Sequence, residues 1–173
     1  MRCVLQRVAS ASVEVEGEVV SSIGPGILCL VGIATDDTSK DAEWVARKLL
    51  RSRVFPSEDE SKPWDRDVTQ LGGDVLLVSQ FTLHARFKKP KPDFSKAMGP
   101  GAARDLYSNF VGLVGSMYDP ARVRDGRFGA MMKVALVNDG PVTFTFDSRA
   151  PDTSGGSSSS LASAGGGGNG GGE

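Results

Sequence analysis

Residues 1–148 read as one α+β domain with mainly antiparallel sheets and two helices. Three observations predict this. Short apolar runs with strand-like alternation, set apart by turn residues, fill residues 2–33 and return at 74–83 and 130–147. Two stretches, 38 to about 53 and 101 to 117, instead space their apolar residues as a helix face does. The final segment, 149–173, carries nine of the 22 glycines, a serine run and a glycine run, with Leu161 as its one large apolar residue. Such a stretch cannot bury enough surface to offset its ordering entropy, so it reads as a disordered Gly/Ser-rich tail outside the domain.

The elements follow in order. Residues 2–8 alternate Cys3, Leu5 and Arg7 against Val4, Gln6 and Val8. Residues 12–15 and 18–23 flank a turn at Glu16-Gly17, and Gly24-Pro25-Gly26 then interrupts the chain. Residues 27–33 form an unbroken apolar run, the mark of a strand buried on both faces. Thr38 or Ser39 can cap the first helix, whose inner face is Ala42, Val45, Ala46 and Leu49. A polar loop over 56–67 has Trp64 as its expected anchor. Gly72-Gly73 introduces an apolar strand over 74–83, and a basic, proline-containing loop leads to the second helix. Strands 130–137 and 142–147, joined through Asn138-Asp139-Gly140-Pro141, close the domain.

Charge and composition exclude several classes. The 148-residue body carries 19 Lys+Arg against 19 Asp+Glu, which argues against a generally basic, histone-like DNA binder. No apolar run approaches the roughly 18 residues of a membrane span, and the start lacks a signal-peptide pattern. Cys3 and Cys29 sit in apolar runs without a disulfide framework, as in a reduced, cytoplasmic protein. One histidine and no CxxC pattern argue against zinc.

Five features carry possible chemistry. Ser79-Gln80-Phe81-Thr82-Leu83-His84 places polar residues on both faces of a strand end. The plain reading is a strand leaving the core. The sharper one makes Thr82 a nucleophile and His84 its base, two residues apart on one face. Against it, there is no GxSxG elbow and no third group to orient His84. In Asn138-Asp139-Gly140-Pro141-Val142-Thr143, Asn-Asp-Gly is ordinary hairpin chemistry, but Pro141 removes a ladder donor where a strand begins. Arg86, Lys88, Lys89 and Lys91 surround Phe87, either as a solvated loop or as a phosphate-binding patch. Met132 reads as core or as pocket lining. Arg7, alone among apolar neighbours, is an edge residue or a charged anchor for backbone.

The pair of motifs SQFTL (Ser79–Leu83) and NDGPVT (Asn138–Thr143), about 55 residues apart, resembles the two signatures of the D-aminoacyl-tRNA deacylases, formerly D-tyrosyl-tRNA deacylases. The similarity extends through MRCVLQRV, GEVVSSIGPGILCLVGI, FGAMMKV and PVTFTFDS, and so across residues 1–148. KPDF and the Ala150-Pro151 exit are closer to eukaryotic members, whereas Lys89-Pro90 stands where the family commonly has a flexible Gly-Asn-like pair. The resemblance implies a barrel-like core and a homodimer that hydrolyses the ester between a D-amino acid, or mischarged glycine, and tRNA, without metal or cofactor. It further implies a cis Gly140–Pro141 unit reaching into the partner's pocket, where its carbonyls hold the substrate ammonium and an L side chain finds no room. Backbone groups of Phe81 and Thr82 would serve the oxyanion while the ribose 2′-hydroxyl assists. Ser79, Gln80 and Met132 would line the pocket beside Asn138, Val142 and Thr143. Arg7 would brace the Gly-Pro loop, and Arg86, Lys88, Lys89 and Lys91 would meet acceptor-stem phosphates. His84 would be incidental. The rival readings are a Thr82/His84 hydrolase and a non-catalytic nucleic-acid-binding module; DNA is not the expected partner.

Overall fold

A computed structural model describes residues 1–150; the Gly/Ser-rich stretch expected to be a tail lies, from residue 151 on, outside the described residues. Six strands form one sheet, in the order β2-β1-β3-β4-β5 with β6 on the other side of β1. They are β1 (Arg2–Val15), β2 (Glu18–Ile23), β3 (Gly26–Gly32), β4 (Asp74–Ser79), β5 (Val123–Asp125) and β6 (Lys133–Asp147). The helices are α1 (Ser39–Arg51), the single turn α2 (Val68–Leu71) and α3 (Pro100–Met117). The sheet curls until β2 meets β4 and β5, giving a nearly closed barrel-like core.

β1 is the spine. It pairs antiparallel with β3 through its first half, with β2 through its second, and with β6 along both. The two strands expected at 2–8 and 12–15 are therefore one. At Ala9 the register against β6 slips by one residue, because Val8 pairs with Asn138 and Ser10 with Val137. An extra residue swaps which side chains face which way. Before it, Cys3 and Leu5 join the core under the helices; after it, Ala11, Val13 and Val15 join the core inside the barrel. The Glu16-Gly17 turn has both residues at positive φ (53° and 87°), as a two-residue type I′ hairpin requires.

β3–β4 and β4–β5 are parallel, so two of the five strand pairings depart from the antiparallel pattern. Parallel neighbours need a long crossover, which α1 and α2 supply before β4 and α3 before β5. The apolar runs of β3 and β4 serve both cores: Ile27, Cys29, Val31, Val75 and Leu77 face the helices, while Leu28, Leu76 and Val78 face inward. Over the first core lie Val45, Leu49 and Leu50 of α1 and Tyr107, Phe110 and Val114 of α3. At the start of α1 the Asp41 carboxylate accepts from the Thr38 N–H and hydroxyl, both at 2.9 Å. The helix ends two residues earlier than its periodicity suggests, with Ser52 Oγ returning to the Lys48 carbonyl at 2.6 Å. Trp64 does not anchor its loop in the core. It is 53% exposed, edge-on to Phe144, and the loop is held by backbone pairing of Phe55 with Arg66.

A buried charge cluster fastens the start of β1 to the end of β6. The Met1 ammonium lies 2.7 Å from Asp37 and donates to Ser148 Oγ at 2.6 Å; both charged partners are fully buried. Asp37 also accepts from the Ala34 N–H at 2.6 Å and from Arg149 at 3.0 Å, and Ala150 N–H bonds the Asp147 carbonyl, so residues 149 and 150 belong to the packed body. Removing one partner of such a buried pair strands the other. Asp37→Ala is expected to destabilise the protein by about 3–5 kcal/mol in urea unfolding. Asp36→Ala, at an exposed ion pair with Arg149, should leave the urea midpoint nearly unchanged.

Candidate active site

β4 ends at Ser79, where the Gln80 N–H makes the last ladder bond, to the Val31 carbonyl at 2.7 Å. The expected strand continuation to residue 83 does not occur. Phe81–His84 instead folds into a 3₁₀ turn, with Leu83 N–H on the Gln80 carbonyl (3.2 Å) and Ala85 N–H on that of Thr82 (3.0 Å). Gly32 makes room for it. A Cβ at that position would lie 2.8 Å from Leu83 Cβ and 3.0 Å from the Gln80 carbonyl oxygen. The Phe81 and Thr82 N–H groups stand at the open end of this turn, and no acceptor meets them among the described residues. First-turn donors are left over in this way by the geometry of any helical turn.

The turn also separates the two residues that a continuous strand would put on one face. Thr82 is exposed and its hydroxyl accepts from the Gln80 side-chain amide at 2.5 Å. His84 is buried, 7% exposed, against Gly32, and its Nε2 has no hydrogen-bond partner among the described residues. Burial pushes its pKa below the ordinary 6.5, and the Arg2 charge adds to this; a hydrogen bond with the Gly32 backbone and the charge of Asp37 only partly oppose it. His84 thus packs the inner side of the turn, while Thr82 lies on the outer side.

The Asn138–Thr143 motif is not a hairpin. β6 continues through it: Gln6 pairs with Thr143 and Val8 with Asn138, so residues 139–142 bow out of the ladder opposite Arg7 alone. Asn138 clamps the excursion. Its side chain donates to Thr143 Oγ1 (3.0 Å) and accepts from the Val142 N–H (3.3 Å). Arg7, 13% exposed, fills the gap on the helix side. Its Nη1 donates to the Val54 carbonyl at 2.7 Å, and its Nε reaches the Asp139 carboxylate at 3.0 Å and carbonyl at 3.3 Å. Arg7 was expected at this loop and Asp139 lies in its motif without having been given a role; Val54 was not marked by the sequence, and no local pattern around it points to Arg7. The Gly140–Pro141 bond is cis, and Gly140 has φ +117°.

The two motifs do not meet within one chain. Arg7 is level with Ile27 and Val75, whereas Ser79 is level with Val31. Followed along the sheet, the Gly-Pro excursion is thus four residues below Ser79 and three strands away, roughly 13 Å by 14 Å. Met132 packs against the core inside the barrel, beside β4. Its sulfur fits against Gly126, whose N–H donates to the Leu77 carbonyl at 3.0 Å. Arg86, Lys88, Lys89 and Lys91 are all exposed on the loop that leaves the 3₁₀ turn. A cavity of about 420 Å³ opens beside Leu83, between Arg2, Thr145 and Asp147. Among the described residues no three His, Cys, Asp or Glu side chains converge on a metal position, and no helix is long and apolar enough to cross a membrane.

Two outcomes follow from this geometry. Alanine at residue 140 would hold a φ that L residues rarely adopt, with its Cβ 3.0 Å from Arg7 Nη2. Gly140→Ala is expected to cost about 1–3 kcal/mol in denaturant unfolding. For His84, the folded pKa lies below the unfolded one, so on acidification the unfolded chain binds the proton first. Stability is held above about pH 6.5 and is lost as pH falls below it. His84 is the one histidine of the sequence, so His84→Gln should flatten the stability profile between about pH 7 and 5.5, read by urea midpoints.

A family model described as D-Tyr-tRNA(Tyr) deacylase matches residues 4–147. A D-aminoacyl-tRNA deacylase of Dictyostelium discoideum is 48% identical over 149 residues, 86% of this chain and 99% of that protein. One from Drosophila melanogaster is 49% identical over 148 residues (86% and 92%), and the D-aminoacyl-tRNA deacylase 1 of Homo sapiens is 46% identical over 155 (89% and 73%). Among solved structures, the c-Myc DNA Unwinding Element Binding Protein superposes with a TM-score of 0.82 at 44% identity, over 85% of this chain and 98% of its own. A structure titled as a probable eukaryotic D-amino acid tRNA deacylase shares the fold, with a TM-score of 0.74 at 19% identity over 84% and 97%. With a full-domain family match and near-half identity to proteins that it covers almost end to end, the chain belongs to the D-Tyr-tRNA(Tyr) deacylase family.

Proposed function

We propose that the chain is a D-aminoacyl-tRNA deacylase. It hydrolyses the ester joining a D-amino acid, or mischarged glycine, to the terminal ribose of tRNA, and it acts in the cytoplasm as a homodimer. The observation that carries the reading is the separation of the two motifs. The Gly140–Pro141 excursion cannot serve its own Phe81–Thr82 turn, and it projects from an edge that offers itself to a second copy. That edge is β6, which among the described residues pairs only with β1 and leaves Leu136, Val137 and Phe144 between 36% and 58% exposed. A long, apolar, unpaired strand edge is a surface that proteins cover.

In the assembled site the ester carbonyl sits at the open end of the 3₁₀ turn. Water attacks the carbonyl carbon, oriented by the substrate's own ribose 2′-hydroxyl. The negative charge that develops on the carbonyl oxygen is met by the Phe81 and Thr82 N–H groups. The tetrahedral intermediate collapses with cleavage of the bond to the 3′-oxygen, which takes up the proton. An aminoacyl ester is already activated, so positioning and fixed donors suffice without a side-chain nucleophile. The carbonyls of the partner's Gly-Pro unit accept from the α-ammonium and occupy the space an L side chain would need. Selection by exclusion explains why glycine passes. Ser79, Gln80 and Met132 line the pocket, Asn138, Val142 and Thr143 support the excursion, and Arg86, Lys88, Lys89 and Lys91 approach tRNA phosphates. The exposed Thr82 and the buried His84 give a Thr/His hydrolase no shared face. The name of the structural neighbour that binds a DNA unwinding element favours a second reading, a nucleic-acid-binding role without turnover.

Matched D-Tyr-tRNA and L-Tyr-tRNA separate these readings. Much faster release from the D-form is expected, equal rates would overturn chiral selection, and binding without release would favour the second reading. Thr82→Ala keeps the N–H and should retain most of the turnover number. Thr82→Pro removes that donor and should lower kcat about 10²–10³-fold with the fold intact by circular dichroism. Gly140→Ala, which shifts the Gly-Pro carbonyls, is expected to lose turnover as Thr82→Pro does, and mixing the two variant chains tests the cross-subunit geometry. Heterodimers rebuild one intact site in two, returning about a quarter of wild-type activity at equal mixing. No recovery after subunit exchange would mean that each chain builds its site alone.

A further inference from the structure

The loop leaving the 3₁₀ turn carries an aromatic ring that the reaction above does not use. Arg86 and Asp93 exchange two backbone hydrogen bonds, at 2.8 and 2.9 Å, which close residues 87–92 into a narrow loop. Pro90 and Pro92 restrict its backbone further. Just beyond it, Phe94 packs edge-on against Phe81 with ring centroids 5.0 Å apart, so the base of the loop is fastened to the candidate oxyanion segment. At its outer end Phe87 is 72% exposed, more than Phe81, Trp64 or Phe144. Arg86, Lys88, Lys89 and Lys91 surround it, all exposed.

A lone exposed apolar residue is unremarkable on a protein surface. An exposed ring held on a stiffened loop among four cations has a more definite chemistry. Cations follow a phosphate backbone, and the ring offers a face on which an unpaired base can stack. We infer that Phe87 is a stacking platform for an unpaired base of the tRNA 3′ end, with the neighbouring cations holding the adjoining phosphates. The inference rests on the proposed placement of the ester at Phe81–Thr82. From Thr82 the chain reaches Phe87 in at most about 14 Å, counting about 2 Å per residue in the turn and about 3.3 Å in extended chain. At about 3.4 Å per stacked nucleotide, that spans roughly four nucleotides from the ester. The ring therefore faces the single-stranded end of the acceptor arm, not its duplex.

The test compares D-Tyr-tRNA with D-tyrosyl-adenosine, which carries the same ester and no upstream base. Phe87→Ala is expected to lower kcat/KM on the tRNA about 5- to 150-fold more than on the adenosine ester, chiefly through KM. Phe87→Trp should restore the tRNA rate, and Phe87→Leu, apolar but without a ring face, should not. Equal losses on the two substrates, no loss on the tRNA, or full activity of the Leu variant would overturn the inference. Should wild-type protein hydrolyse neither ester, the deacylase reading falls by itself. Stacking is then read from the Phe87→Trp variant titrated with uncharged tRNA, against the background of Trp44 and Trp64. Quenching that a short single-stranded RNA with the tRNA 3′ sequence competes away supports the platform, and an unchanged signal, or quenching by a duplex stem alone, overturns it.

Discussion

Arg7 sets the geometry around which the candidate site is organised. It is a nearly buried cation in the middle of β1, at the one position between Gln6 and Val8 that has no partner in β6. A guanidinium cannot be withdrawn from water without replacing its hydration, and its planar fork demands acceptors in fixed directions. The Val54 carbonyl and Asp139 meet that demand. Because Asp139 begins the excursion and Asn138 clamps both of its ends, the Gly-Pro unit is held by charge on one side and by amide bonds on the other. Its rigidity comes from β1 as much as from proline. A loop expected to discriminate by steric exclusion needs such rigidity, since a yielding wall would admit both enantiomers.

The mixed sheet divides the labour. The parallel half ends β4 at Ser79, where the chain is free to turn and present unpaired N–H groups. Open parallel sheets place ligand sites at such carboxyl ends of strands. The antiparallel half ends in the β6 edge, which carries the excursion outward. Within one chain the shared strands β1 and β3 hold the two apart, so the fold that makes each half-site stiff also prevents them from meeting. Gly32 links the two halves in another way. It closes β3, and its missing side chain lets Leu83 and His84 pack against the strand end, which decides that the SQFTL segment turns rather than continues.

Much of this was legible in the sequence. α1, α3 and the Glu16-Gly17 turn follow from periodicity and turn chemistry, which depend on neighbours a few residues away. The unalternated run at β3 signalled burial on both faces, and that is also the mark of parallel pairing, a consequence the hairpin-rich context obscured. Two readings failed for a shared reason. Asn-Asp-Gly has hairpin chemistry whether the chain reverses or bows out and continues, and Ser-Gln-Phe-Thr-Leu-His alternates acceptably as a strand. In each case a distant residue decides, Arg7 for the first and Gly32 for the second. Trp64 misled for the opposite cause: a large aromatic in a polar loop suggests an anchor, yet its contact is Phe144 on the exposed edge. The Phe81–Phe94 contact, which ties the basic loop to the turn, joins residues whose spacing carries no signal.

The exposed edge connects the last two arguments. Along β6 the charges are Lys133, Asp139 and Asp147, and each is already committed: Lys133 to Glu14, Asp139 to Arg7, Asp147 to Arg2. None is free to act as the unpaired edge charge that keeps strands of separate molecules apart. Between them lie Leu136, Val137 and Phe144, with Trp64 leaning on the last. An edge so built is one that proteins commonly cover, and in the proposed homodimer a second copy offers a surface of the same length and character with two-fold symmetry. The basic loop is the reverse case. Its exposed ring is surrounded by four exposed cations, two of which, Arg86 and Lys88, also feel the Asp93 carboxylate, and this excess of positive charge repels another copy of the same loop and attracts polyanions. In the proposed reading these two exposed apolar features therefore take different partners, protein at β6 and nucleic acid at Phe87, and the distribution of charge around each is what separates them.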